Sequence, residues 1–169
     1  PIEIGEIIND INLLNLDSNN FSLSSTDGKF RLVSFIFSRC PMPSMCPAVI
    51  VKNQYIADTF IKNNNFELII ISFDYLHDTP SMLKSIYGNI ENKLPNIKFL
   101  SSTNHINDLF TIAGQSNVSF WGVDEDDIGH TLRSILIDPN RRLLKAYEGT
   151  EWNPDNLIND LNNLIKVYN

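Results

Sequence analysis

Two segments dictate the scaffold. Phe30-Arg-Leu-Val-Ser-Phe-Ile-Phe37 and Phe66 to Phe73 are strand-length and nearly all apolar. A strand with one wet face alternates apolar and polar residues, whereas a strand covered on both faces need not. A helical pattern follows each run. Beyond Cys46-Pro47, the residues Val49, Ile50, Tyr55, Ile56, Phe60 and Ile61 recur with helical spacing. Pro47 suits a first helical turn, where a missing N–H costs nothing. Thr79-Pro80 supplies a cap and a first-turn proline for a helix through Leu83, Ile86 and Tyr87. Doubly buried strands joined by helices predict parallel neighbours with crossover connections.

The remaining elements complete an α/β pattern. Phe21-Ser-Leu-Ser and Phe30–Phe37 flank Asp27-Gly28, a hairpin signal. Ile97 to Leu100 reads as a short strand. Asn104 is placed to cap a helix holding Ile106, Leu109 and Phe110. An irregular acidic stretch, Gly122 to Gly129, leads to His130. Leu132–Ile137 and Leu143–Tyr147 form a hairpin around Asp138-Pro-Asn-Arg. Asn153-Pro154 opens a last helix, with Leu157, Ile158, Leu161, Leu164 and Ile165 on one face. The order predicts a central mixed β-sheet with helices on both faces. No repeat or linker divides the sequence, so residues 1–169 are expected to form one domain, with 1–20 as a lead-in.

Charge and hydropathy exclude several classes. The net charge is −7 and no basic stripe is present, which makes nucleic acid a poor partner. The longest apolar runs fall far short of the ~20 residues that span a bilayer. The sequence begins at Pro1 and has no basic segment followed by an apolar one, so it reads as a mature or trimmed chain lacking any leader or anchor.

Both cysteines lie in Cys40-Pro-Met-Pro-Ser-Met-Cys46-Pro47. A disulfide here closes a very small loop and removes little unfolded-state entropy, so stapling is a weak reason for the pair. The pair stands where a buried strand hands over to a helix, and sites in open α/β sheets gather at the carboxyl ends of strands. Helix-start N–H groups favour a thiolate, so Cys46 is expected to have a lowered pKa and Cys40 to be the more exposed partner. Pro41 and Pro43 restrict the loop so that the sulfurs can meet. Two such thiolates can join as a disulfide or grip a soft cation, since thiolate ligands favour Cu(I) over hard cations. Met42 and Met45 could add thioethers, but loop packing accounts for them more simply. An inert pair of small buried cysteines is the bland alternative.

Three ordered segments carry a resemblance. Gly28-Lys-Phe-Arg-Leu-Val-Ser-Phe-Ile-Phe-Ser-Arg-Cys40-Pro with Cys46-Pro47, then Ile71-Ser-Phe-Asp74 with Asp78-Thr-Pro80, then Gly129-His130 ahead of a strand ending Ile137-Asp138-Pro139, together resemble the Sco/SenC family. The resemblance implies a thioredoxin-like fold and a copper site of Cys40, Cys46 and His130. It also implies Asp74 as an acidic supporting residue nearby. The family usually places three residues between its cysteines; here there are five. Without the resemblance, His130 would read as a turn or surface residue. His77 reads as capping or solvating a helix start, and His105 as surface. No metal-spaced histidine pair exists, and a four-ligand zinc site lacks donors. Asp124-Glu-Asp-Asp127 reads as a solvated loop, and Trp121 and Trp152 as packing at the core edge.

The family implies copper delivery to, or cysteine reduction at, the binuclear copper site of cytochrome c oxidase. The expected partner is therefore the copper-site subunit of that oxidase or another periplasmic copper or thiol protein. The chain itself is expected to be an extracytoplasmic monomer that meets the membrane only through an N-terminal anchor outside this sequence. A thiol-disulfide oxidoreductase without copper delivery is the alternative. A peroxide-reducing enzyme fits less well, because Phe37-Ser-Arg precedes Cys40 where Thr-x-x would be needed. A non-catalytic interaction domain is the remaining class.

Overall fold

The computed structural model describes residues 1–41 and 45–168. At its centre β3 (Phe30–Ile36) and β4 (Phe66–Ser72) lie parallel, in register from Phe30 against Phe66 to Ile36 against Ser72. Every residue of both strands is buried, as the unbroken apolar runs require. β5 (Ile97–Leu100) adds parallel to β4. On the other side β8 (Arg133–Ile137) adds antiparallel to β3, and β9 (Leu143–Glu148) antiparallel to β8. The sheet order is β5-β4-β3-β8-β9, a mixed sheet with parallel crossovers in the first half and a hairpin at the end.

Among the described residues there are four α-helices: α1 (Cys46–Thr59), α2 (Pro80–Lys93), α3 (Ile106–Gln115) and α4 (Pro154–Tyr168). Thr79 caps α2 as expected, its hydroxyl accepting the Met82 N–H at 3.3 Å. α3 is capped at His105 rather than Asn104, which instead takes a left-handed φ of 61°. α4 packs on α1 and buries Leu157 and Leu161.

The expected hairpin around Asp27-Gly28 does not form. β2 (Asn20–Ser22) pairs instead with β1 (Asn12–Leu14), and Leu23–Thr26 is a short 3-10 turn. Both edges of β3 are taken, by β4 and β8, so no place beside it remains for β2. The 3-10 turn has a further anchor. Arg31, fully buried within β3, sends its guanidinium to the Leu23 and Asp138 carbonyls, Thr26 Oγ1 and Asp27 Oδ1. The first twenty residues also belong to the packed structure: Ile8, Ile11, Leu13 and Leu16 are buried, and the Gly5 N–H donates to the Leu143 carbonyl.

Candidate metal centre

Cys46 is the first residue of α1 and is 1% exposed, with Pro47 in the first turn. Cys40 sits just past the end of β3, half-buried, its N–H donating to the Phe37 carbonyl. Both are thiols, and the Cys40 thiol lies within hydrogen-bond reach of Cys46. Met42 and Pro43 lie outside the described residues.

His130 reaches these thiols from far along the chain. β6 (Phe120–Trp121) and β7 (Gly129–His130) form a small antiparallel ladder pairing Phe120 with His130. This places His130 Nε2 3.6 Å from Cys46 Sγ, across 84 positions of sequence. The other ring nitrogen, Nδ1, is 2.8 Å from the Thr131 carbonyl. A carbonyl can only accept, so Nδ1 carries the proton and Nε2 presents its lone pair to the thiol. Burial pushes the imidazole pKa down and outweighs the Thr131 carbonyl, which favours the neutral ring as a ligand or base. Aromatic walls hold the ring. Phe73 lies 4.6 Å away and Phe37 5.5 Å away, centroid to centroid, and Phe120 stacks behind Phe73.

The expected lowering of the Cys46 pKa is not found. Burial pushes this thiol far up, and the Cys40 thiol adds to the effect. The backbone N–H groups of Phe37 and of Cys46 itself pull down but do not compensate. A helix start favours a thiolate only where that thiolate stays solvated. The exposure order of the two cysteines is as expected. Brief treatment of reduced protein with iodoacetamide at neutral pH should therefore modify Cys40 well before Cys46. Peptide mass spectrometry checks this, and equal labelling would contradict the burial difference.

The Cys46–His130 spacing fits one shared ion. Donors at about 2.3 Å (sulfur) and 2.0–2.1 Å (imidazole) from a d10 ion, at angles of about 110–120°, stand about 3.6–3.8 Å apart. Among the described residues no three His, Cys, Asp or Glu side chains are already gathered for a metal. Cys46 and His130 stand at that spacing, with the Cys40 thiol beside Cys46.

A family model described as SCO1/SenC matches residues 3–166. The chain belongs to the SCO1/SenC family. It is 30% identical over 152 residues to the SCO1 protein homolog of Bacillus subtilis (strain 168), covering 87% of this chain and 77% of that one. BsSco, described as a member of the Sco family of cytochrome c oxidase assembly proteins with a disulfide switch, is 25% identical with a TM-score of 0.76, over 96% of this chain and 94% of its own. Arabidopsis thaliana ScoI with copper bound gives a TM-score of 0.77 at 20% identity, over 96% and 100%. A SCO1/SenC family lipoprotein from Bacillus anthracis str. Ames gives 0.82 at 18%, over 95% and 96%. The thioredoxin-like architecture, a mixed sheet with helices on both faces, is the Sco fold.

Within this Sco fold, two buried carboxylates and an arginine frame the site. Asp78 is fully buried and accepts the Ser38 N–H at 2.8 Å, the Ser38 hydroxyl and the Ser72 hydroxyl, which pins the turn leaving β3. Asp74 is also fully buried. It accepts the His77 N–H and pairs with Arg39, while the proton-bearing nitrogen of His130 is held by Thr131. Asp74 thus sits beside the cysteine turn rather than on the imidazole. No local pattern marks Arg39; only its three charged or polar partners reveal it. Trp121 departs from its expected core-edge packing: it is 57% exposed, with its indole laid over Gly129. Trp152 packs against the core beside Tyr147, as expected.

The turn between β6 and β7 is wound around Gly122. Its φ is +77°, and a Cβ there would stand 1.9 Å from the Asp127 carbonyl oxygen. Gly122→Ala should therefore force the turn open and shift His130, at a cost of about 1–3 kcal/mol for the backbone strain. Chemical denaturation, read with the His130 imidazole resonances by NMR, checks this. Unchanged resonances would show that the turn does not govern the ring.

Proposed function

We propose that this chain is a redox-active Sco-type protein that takes Cu(I) as cargo on Cys40, Cys46 and His130. It then delivers the ion to the binuclear copper site of cytochrome c oxidase, or reduces the cysteines of that site. The observation that carries this reading is the Nε2 lone pair facing Cys46 Sγ at 3.6 Å, in a ring whose other nitrogen is already engaged. Orienting one imidazole nitrogen through a hydrogen bond to the other is the usual support for a metal-ligating histidine. Thiolate donors select a soft ion, and the solved copper-bound ScoI of Arabidopsis thaliana supports copper as that ion. Three donors leave a low coordination number, so an acceptor's thiolates can take over the ion by ligand exchange. Asp74 supports the site through Arg39.

The working form is a single-domain, extracytoplasmic monomer. No helix among the described residues is long and apolar enough to cross a membrane. The lipoprotein relative supports a location at a membrane surface.

A titration of the reduced protein with Cu(I) against a competing chelator tests the reading. Near-stoichiometric retention is expected, and no retention would leave the oxidoreductase reading in its place. The adjacency of the two thiols supports that second reading directly. Cys40, the more accessible thiol, would attack a target disulfide and form a mixed disulfide. Cys46 would pass its proton to His130 Nε2, attack the Cys40 sulfur and release the target's second thiol.

A further inference from the structure

We infer that Arg39 is a positioning residue that fixes how Cys40 is presented to the Cys46–His130 pair, an inference that rests on the copper reading above. Arg39 directly precedes Cys40 in the chain. Its Nη2 lies 2.7 Å from Asp126 Oδ1, 2.8 Å from His77 Nδ1 and 3.4 Å from Asp74 Oδ2. These partners come from the two other segments that frame the site. Asp74 and His77 lie in the loop between β4 and α2, and Asp126 lies in the turn between β6 and β7, four positions before His130. One guanidinium therefore joins the cysteine turn to the loop below it and to the ladder that carries the imidazole.

The place of this junction gives it a role. A cleft of about 260 Å³ has Phe37, Arg39 and Pro41 on one side and Asp126, Asp127 and Ile128 on the other, and the Arg39–Asp126 pair spans it. Its walls are the segments leading to Cys40 and to His130. Arg39 directly precedes Cys40, so the contacts that hold its guanidinium also hold the turn that bears this thiol. The charge balance agrees. The Asp74 carboxylate is fully buried and needs a cation, which Arg39 supplies from the rim. A lysine keeps the charge on a shorter stem and so does not place it at the same point among these three partners.

Stability and positioning can be separated here. The side chains of Arg39 and Asp126 are 42% and 68% exposed, so their pair adds little to global stability. Three variants, Asp126→Asn, Arg39→Ala and Arg39→Lys, are compared with the parent protein in two assays. The first is the iodoacetamide alkylation rate of Cys40 in the reduced, copper-free protein. The second is Cu(I) transfer to a competing chelator. Asp126→Asn is expected to keep the parent's unfolding midpoint, yet to raise the alkylation rate several-fold and to speed copper loss. Arg39→Ala is expected to go further, with affinity lowered by roughly 10–100-fold, the usual effect of removing a residue that orients a ligand. Arg39→Lys should fall between. Parent-like alkylation in both Asp126→Asn and Arg39→Ala would overturn the inference. If the parent protein retains no Cu(I), the proposed function fails, while the copper-free alkylation assay still decides the role of Arg39.

Discussion

Cys46→Ser is expected to abolish Cu(I) retention against a chelator, and Cys40→Ser to do the same. Serine keeps the size of cysteine to within one atom but replaces a soft sulfur with a hard oxygen, which a soft ion does not favour. Position 46 also makes the test clean. The side chain is 1% exposed at the start of α1, and serine differs from cysteine only in its terminal atom, so the packing around it is kept. His130→Ala leaves two thiolates and should weaken binding by more than the roughly 10–100-fold that loss of a merely supporting residue costs. Competition titrations with the three variants, each checked by circular dichroism, give the order. Parent-like affinity in Cys46→Ser would remove this sulfur from the donor set.

What could be read from the sequence followed from how local the controlling interactions are. The runs at Phe30–Phe37 and Phe66–Phe73 declare double burial in their own composition, and Thr79-Pro80 declares a helix start in two residues. Strand partnership is not local. The pairing of Phe21 with Leu13 depends on β4 and β8 having filled both sides of β3, which no hairpin signal at Asp27-Gly28 reports. The two cysteines were visible as a pair at a strand-to-helix junction. His130 was not, because 84 positions separate it from Cys46 and its neighbours mark only a turn; the family resemblance supplied it. The Cys46 pKa went the opposite way for a similar reason. The helix start is written locally, while the packing that excludes water from the thiol comes from β3 and the distant β6–β7 ladder. Arg39 and Asp78 were ordinary charges in the sequence and became structural junctions only when separate loops converged on them.

Phe73→Ala should give the largest loss of stability and should also disturb the site. The ring is fully buried. It lies 5.3 Å from Phe37, stacks at 5.4 Å and 16° on Phe120, and lies 4.6 Å from His130, centroid to centroid. Truncation removes the transfer free energy of the ring and leaves a cavity, together about 3–5 kcal/mol. Set against a total of about 5–15 kcal/mol for a typical domain, this is a large fraction. Urea unfolding of the reduced, copper-free protein should show a sharply lower midpoint at an unchanged slope. Phe73→Leu separates stability from orientation, because leucine refills much of the space without offering the imidazole an aromatic face. This variant should stay folded and still bind Cu(I) more weakly than the parent, since His130 has lost the wall that fixes its plane. A folded Phe73→Leu protein with parent affinity would mean that the Thr131 carbonyl and the Phe120 pairing orient the imidazole on their own, with Phe73 serving the core alone.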